Sequence, residues 1–353
     1  MLTVKARNVH QALPEVMRLA QLRGYERESR NGPVRLLPEP LSIEYARPTE
    51  RVVFWAQRDA NPFFHLFEAL WMLAGRADVA FPARFAKQLA AYSDNGRTFN
   101  AAYGWRWRSF FGVDQLNSIV AALRKDPNDR RQVLAMWDAR RDLGLDSKDI
   151  PCNLTACFQL GPWRAGDMPD GSPGVAFDRE LNMLVSNRSN DLVWGALGAN
   201  AVHFSVLQEY LAARIGAKVG TYHQVTMNGH VYQRHYGLMA ELADVAAEPT
   251  IGGCGLGDPY LKELVGVVPL VQDPERFERE LHAFVDGAHE RYKEPFLARV
   301  ALPLLCAHDA WARDDLAGAR HHLVAARDCD WKRAASEWLE RRVDKKLGVS
   351  VAR

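Results

Sequence analysis

A thiol and a guanidinium occur where one pocket can bring them together: Cys152 in Ile150-Pro151-Cys152-Asn153, and Arg188 in Asn187-Arg188-Ser189-Asn190-Asp191. A free cysteine, with a pKa of about 8.5, is mostly protonated at neutral pH, and an adjacent cation moves it toward the reactive thiolate. The pairing predicts a nucleophile activated by Arg188. With Ser189 and the pair Arg130-Arg131, the same guanidinium makes a cluster suited to a phosphate dianion. Glu68 stands almost alone among Phe63, Phe67, Leu70, Trp71 and Leu73, which predicts a carboxylate placed to pass protons through ordered water. His230 and Tyr232, two apart on an extended segment, share a face and fit a sugar hydroxyl.

Each of these residues also has an ordinary role. A strand cysteine is more often core filler, and Cys157, on the opposite strand face from Cys152, is read that way. Arg130-Arg131 alone is a solvated strand end, Glu68 a buried acid paired with an arginine, and Asp191 a cap for the helix that follows. Tyr103 and Asn200 alone are a half-buried phenol and a helix amide satisfied by a neighbouring backbone. What weights the chemical reading is the combination.

The elements that must position these groups follow from periodicity and punctuation. Asn8–Leu19 is amphipathic and predicted helical from Pro14 onward, and Pro33–Tyr45 is extended, ending in the strand Leu41–Tyr45. Asn61-Pro62 opens a helix over Phe63–Gly75 that carries Glu68. Arg130–Trp137 and Asn153–Leu160 read as strands, with a Gly-, Pro- and Trp-rich surface loop over 161–172. Val193–Ile215 reads as one long buried helix bearing Asn200, His203 and Gln208, and Gln224–Tyr232 as a strand. Beyond Glu248, Arg276–Val300, Ala310–Ala326 and Trp331–Val343 are charged amphipathic helices. The expected organisation is an α/β (α+β) unit over 1–247 and a mostly helical annex over 248–353.

Composition narrows the partners. In 353 residues, 45 Lys and Arg nearly balance 43 Asp and Glu, so there is no general electrostatic case for nucleic acid or an anionic membrane. Five cysteines without framework spacing suit a reducing compartment, with the cytoplasm as the default. No apolar run has the length of a signal peptide core or a membrane span.

Six motifs then occur in one order: Glu68-Ala69-Leu70-Trp71, Tyr103-Gly104-Trp105-Arg106-Trp107-Arg108, Arg130-Arg131, Pro151-Cys152, Arg188-Ser189-Asn190-Asp191 and His230-Val231-Tyr232. Each is weak alone; their order and spacing, over about residues 40 to 236, resemble the thymidylate synthase family. The family includes synthases that methylate dUMP and relatives that hydroxymethylate dUMP, dCMP or CMP. The resemblance implies a mixed sheet with packed helices and a homodimer through that sheet, with 5,10-methylenetetrahydrofolate as co-substrate. It implies that Cys152 adds to C6 of a pyrimidine nucleoside monophosphate, and that Arg130 and Arg131 serve the other subunit's site. It gives Tyr103 a part in removing the C5 proton, and places Asp191 and Trp107 at the folate.

Departures from the family pattern bear on the product. The base-reading segment is Gly195-Ala196-Leu197-Gly198-Ala199-Asn200, one residue longer than usual and lacking its proline, which leaves Asn200 as the base reader and favours uracil. The histidine that usually follows the nucleophile is Asn153, and the C-terminal stretch Lys346–Arg353 lacks the familiar lid, although Val349 and Val351 could still close the site. These departures favour a hydroxymethylase of dUMP or dCMP. Alternatives are a synthase making dTMP and dihydrofolate, a CMP or dCMP hydroxymethylase, and a dCMP methylase. A zinc-dependent deaminase fails on spacing, because Cys157 is not three residues after Cys152 and no His-x-Glu lies upstream; no metal is expected. A nucleic-acid or partner surface formed by Lys332, Arg333, Arg341, Arg342, Lys345 and Lys346 would concern the annex alone, and such faces are more often solvated.

Overall fold

A computed structural model describes residues 1–161, 179–247, 257–288 and 291–347. Eight strands form one mixed sheet: β1 (Leu2–Ala6), β2 (Tyr25–Arg27), β3 (Val34–Leu36), β4 (Leu41–Tyr45), β5 (Val133–Ala135), β6 (Asn153–Gly161), β7 (Glu180–Asp191) and β8 (Lys218–Tyr232). The main order is β1-β4-β8-β7-β6-β5, with β3 also on β8 and β2 on β3. β1 runs parallel to β4 and β7 to β8, while the other pairs are antiparallel. The register between β6 and β7 shifts between Asn153 and Thr155, where one residue more stands on β6 than on its partner. Such a bulge re-aims neighbouring side chains, and it lies directly after Cys152.

Two helices, Pro62–Leu73 and Asn200–Ile215, supply much of the core against this sheet. The first is started by Asn61, whose side chain accepts from the Phe64 amide, and by Pro62 in its first turn, where no amide is missed. Eleven of its twelve residues are buried, Glu68 being the exception. Leu66, Phe67, Leu70, Phe204 and Leu207 are inaccessible to solvent, each worth about 1.5–3 kcal/mol when buried. Gly104 sits so close to the end of the Glu68 helix that a Cβ there would fall 2.0 Å from the Met72 carbonyl oxygen, which lets the turns bearing Tyr103 dock directly on that helix.

Several predicted boundaries shift. The first helix spans Val9–Arg23 with Pro14 inside it, begun by the Asn8 side chain accepting from Gln11 rather than by the proline. Pro14 cannot donate to the His10 carbonyl four residues back, and the Trp55 indole does so instead, at 2.7 Å. The strand expected over 130–137 is only Val133–Ala135, because Asp129 holds the Arg131 backbone and side chain in a turn. The long helix over 193–215 is two segments, Leu192–Ala199 and Asn200–Ile215, with non-helical backbone at Leu197 and Gly198. The predicted helix 276–300 also divides, into Pro274–Val285 and Leu297–Ala301, and Ala310–Ala326 is interrupted between Leu302–Ala312 and Leu316–Ala325. The last helix runs Asp330–Leu347. Most of the loop over 161–172, the segment Gly252–Gly255 and the tail valines Val349 and Val351 lie outside the described residues.

The C-terminal helices join the same apolar core. Polar ties reinforce the seam: Glu209 pairs with Arg51 and accepts from the Leu270 amide at 2.8 Å, and Tyr260 donates to Asp330 at 2.9 Å. Arg341, Arg342 and Lys345 converge on Asp59, so these basic residues are spent largely on intramolecular pairing. Cys157 is exposed rather than core filler, beside Val133 and Leu184 on the outer sheet face, and the bulge after Cys152 removes the simple alternation that would set the two cysteines on opposite faces. Among the described residues, no helix is long and apolar enough to cross a membrane.

Candidate functional site

A cavity of about 1300 Å³ opens over the C-terminal half of β7 and the start of β6. Its lining brings together Cys152, Glu68, Tyr103, Arg188, Ser189, Asp191, Asn200, His230 and Tyr232 from strands, helices and loops far apart in the chain. Nine of the twelve residues expected at the site therefore share one chamber. A typical single small-ligand pocket holds about 300–1,000 Å³, so there is room here for two ligands side by side.

Cys152 sits at the chamber floor, with the Arg188 Nη2 3.6 Å from its Sγ. The guanidinium is fixed by donating to the Pro151 carbonyl at 2.7 Å and the Ile150 carbonyl at 3.0 Å, and the Arg188 amide donates to Cys152 O at 2.9 Å. Arg188 favours the thiolate as expected, but in the resting chain burial outweighs it. Burial pushes the Cys152 thiol above its ordinary pKa, and Arg188 and Arg30 only partly offset this. Tyr103 holds the nucleophile's backbone in place, its hydroxyl oxygen accepting from the Cys152 amide at 3.0 Å and the Asn153 amide at 3.2 Å. Burial raises the Tyr103 phenol above its ordinary range, so it stays protonated and keeps a hydrogen to donate.

Glu68 looks into the chamber from its helix, and its Oε2 lies 3.1 Å from His203 Nε2. A second polar chain runs across the base of the site: Asn153 Nδ2 donates to Asn200 Oδ1 at 3.4 Å, and Asn200 Nδ2 donates to Asn190 Oδ1 at 3.1 Å. Gly195 makes room for this chain, since a Cβ there would meet Asn190 Oδ1 at 2.3 Å. Asp191 Oδ1 caps the next segment by accepting from the Val193 and Trp194 amides, while its Oδ2 stands 3.8 Å from Arg234. His230 and Tyr232 stack edge to face, with ring centroids 5.0 Å apart.

Three expected residues lie elsewhere. Trp107 is wholly buried in the core near Phe204 and does not border the cavity, so it has no route to a folate in this chain. Its position in the motif is that of a packing residue; Trp71 and Trp194 are the indoles that reach the chamber, together with Trp137. Arg130 and Arg131 are exposed and do not border their own chain's cavity, and Arg131 pairs with Asp129. The cations that do border it include Arg30, Lys148 and Arg234, which sequence reasoning missed. Arg30 lies in the Ser29–Gly32 turn and reaches across to the Ser147 and Lys148 carbonyls at 3.4 Å, a partnership between residues more than a hundred apart that no local pattern reveals.

The sheet, the thiol–guanidinium pair and the amide chain together define a pyrimidine-nucleotide C5 transferase scaffold, and the sequence comparisons agree. The thymidylate synthase family profile matches residues 42–250, and the chain belongs to that family. It is 49% identical, over 97% of its length and 95% of the relative's, to a deoxyuridylate hydroxymethyltransferase of Pseudomonas phage M6. It is 38% identical to a deoxyuridylate hydroxymethyltransferase of Bacillus phage SP01, over 56% of this chain and 50% of that one. A third protein of that description, from Delftia phage PhiW-14, is 26% identical over 61% of this chain and 57% of its own.

Proposed function

We propose that this chain is a deoxyuridylate hydroxymethyltransferase, moving a one-carbon unit onto C5 of dUMP. The observation that carries this reading is the likeness to the Pseudomonas phage M6 hydroxymethyltransferase along nearly the whole chain, C-terminal helices included. On this reading residues 1–247 are the catalytic unit, and 248–353 is a helical region packed on it.

C5 of uracil is a poor nucleophile until a group adds to C6. Cys152 makes that bond, and the ring electrons move onto the C4 oxygen as an enolate. Arg188, 3.6 Å from the sulfur, favours the attacking thiolate against the burial that opposes it. Arg188, Arg30 and Ser189 form the phosphate side of the chamber in this chain, and Arg130 and Arg131 reach the same phosphate from a second subunit. The outer sheet face with Val133, Cys157 and Leu184 supports a homodimer through the sheet.

Asn200 reads the base. Uracil offers N3–H as donor and O4 as acceptor, and one amide meets both. Its oxygen faces Asn153 and its nitrogen faces Asn190, so the flanking amides hold both groups at the base end of the chamber. His230 and Tyr232 take the sugar hydroxyl, and Tyr103 assists removal of the C5 proton.

5,10-Methylenetetrahydrofolate, the family's one-carbon donor, supplies a carbon at the oxidation level of formaldehyde. The residues fit it: the volume beyond the nucleotide is walled by Trp71 and Trp194, and Asp191 Oδ2 remains available to accept from ring N–H groups. The departing carrier leaves an exocyclic methylene on C5. Water captures it, and expulsion of Cys152 from C6 restores the ring double bond. The test is spectroscopic: during turnover with dUMP, tetrahydrofolate should accumulate without dihydrofolate. Dihydrofolate formed in step with nucleotide consumption would mean that hydride, not water, completes the reaction.

A further inference from the structure

The capture of the methylene by water needs a base that a hydride-ended reaction does not. Glu68 faces the chamber, but a carboxylate alone is a weak store for a proton that must stay put until product leaves. Its neighbour changes that. His203 stands three residues after Asn200 on the same helix, so the two project from one face into the chamber. The imidazole is only 5% exposed, and among the described residues no other cation lies within ion-pair distance of Glu68. His203 Nε2 has no aligned hydrogen-bond partner in the resting chain although Glu68 Oε2 is 3.1 Å away. Phe64 packs against His203 with ring centroids 6.4 Å apart and Trp194 packs against Phe64, so the pair sits beside an apolar wall. Of the other carboxylates bordering the chamber, Asp142 is held by Arg106, Asp149 accepts from the Ala101 amide, and Asp191 has one oxygen in its cap.

We infer that His203 is the proton-accepting partner of Glu68 in the water-capture step, a positioning residue acting through that carboxylate. This deepens the hydroxymethyl reading above and rests on it. As a water molecule bonds through oxygen to the exocyclic carbon, the C5–methylene π electrons move to the C4 oxygen as an enolate. One water proton passes to Glu68 and is shared with His203 Nε2. The enolate then collapses, C5=C6 re-forms, and the C6–S bond breaks with its electrons returning to Cys152 as thiolate. No oxidant or reductant is needed, and the pair supplies the proton store that this ending requires.

The test uses the full-length protein with His203→Gln and His203→Ala, dUMP tritiated at C5, and rapid quenching. Nucleotide affinity should stay within about twofold of wild type, which also reports folding. Hydroxymethyl product formation should fall by roughly tenfold or more in both variants. Tritium release, which precedes water capture, should persist as a stoichiometric burst followed by slow product. Added imidazole should restore His203→Ala, since the chamber is wide enough to admit it. A His203→Gln enzyme turning over at the wild-type rate would overturn the inference, as would tritium release falling in step with product and showing no burst. Wild-type protein that makes dihydrofolate and thymidylate instead would overturn the hydroxymethyl reading itself, a result visible before any variant is made.

Discussion

Two charged centres lie in the same half of this molecule and are built to opposite ends. Arg106 and Asp142 are both fully buried and fully occupied: the guanidinium makes two bonds to Asp142 at 2.6 and 2.8 Å and others to the Asn100 and Met136 carbonyls. Asp142 borders the chamber, yet its oxygens are spent on Arg106 and the Asp138 amide. Glu68, His203, Cys152 and Arg188 sit nearby with valences open to the cavity. The first centre fixes the loop before Cys152; the second is left incomplete so that ligands can complete it. Buried polar groups are normally satisfied, and a cluster of partly satisfied ones in a cavity is where chemistry is expected.

Substitutions should separate the two centres. Cys152→Ser removes the nucleophile and should lower turnover by about 10³-fold or more, with dUMP affinity retained in equilibrium binding. Wild-type turnover in that variant would remove the covalent step from the account. Asp142→Ala should act the other way round, lowering stability by about 3–5 kcal/mol by stranding the Arg106 charge, as read from denaturant unfolding. Glu68→Gln should leave stability within about 1 kcal/mol of wild type while stopping catalysis, and a large loss of stability would mean that Glu68 belongs with the structural centre.

Two smaller effects sharpen the comparison inside the site. Asn200→Asp replaces the amide with a carboxylate that suits cytosine, and the preference for dCMP over dUMP in kcat/KM should rise by roughly tenfold. An unchanged ratio would move base reading to another residue. Cys152 alkylation tests the electrostatics: a thiol whose pKa is raised carries less thiolate at neutral pH than a free cysteine. Its reaction with iodoacetamide should be slower than that of a free cysteine and still climbing beyond about pH 9.

Much of the site was legible because its residues occupy short motifs whose roles follow from chemistry. Cys152, Arg188, Glu68 and Asn200 all reach one chamber. What the sequence hid depends on long-range geometry. Trp107 and Trp71 are both tryptophans in motifs, and only the fold shows that the first fills the core while the second faces the cavity. The motif shows the effect of Arg188 on Cys152 but not the burial that outweighs it. Pro14 reads as a helix start because a proline inside a helix costs a bond, and the indole of Trp55 that replaces the lost donor lies 41 positions later. The break at Leu197–Gly198 leaves no mark in the sequence because its residues are uniformly apolar, and apolar content alone does not signal a change of direction.

The measurement closest to the central claim is the mass spectrum of the nucleotide after incubation with 5,10-methylenetetrahydrofolate and, separately, dUMP, dCMP, UMP and CMP. The account predicts that dUMP alone changes and that it gains a hydroxymethyl group. A methyl group on dUMP, a product from dCMP or a ribonucleotide instead, or four unchanged nucleotides would each contradict it.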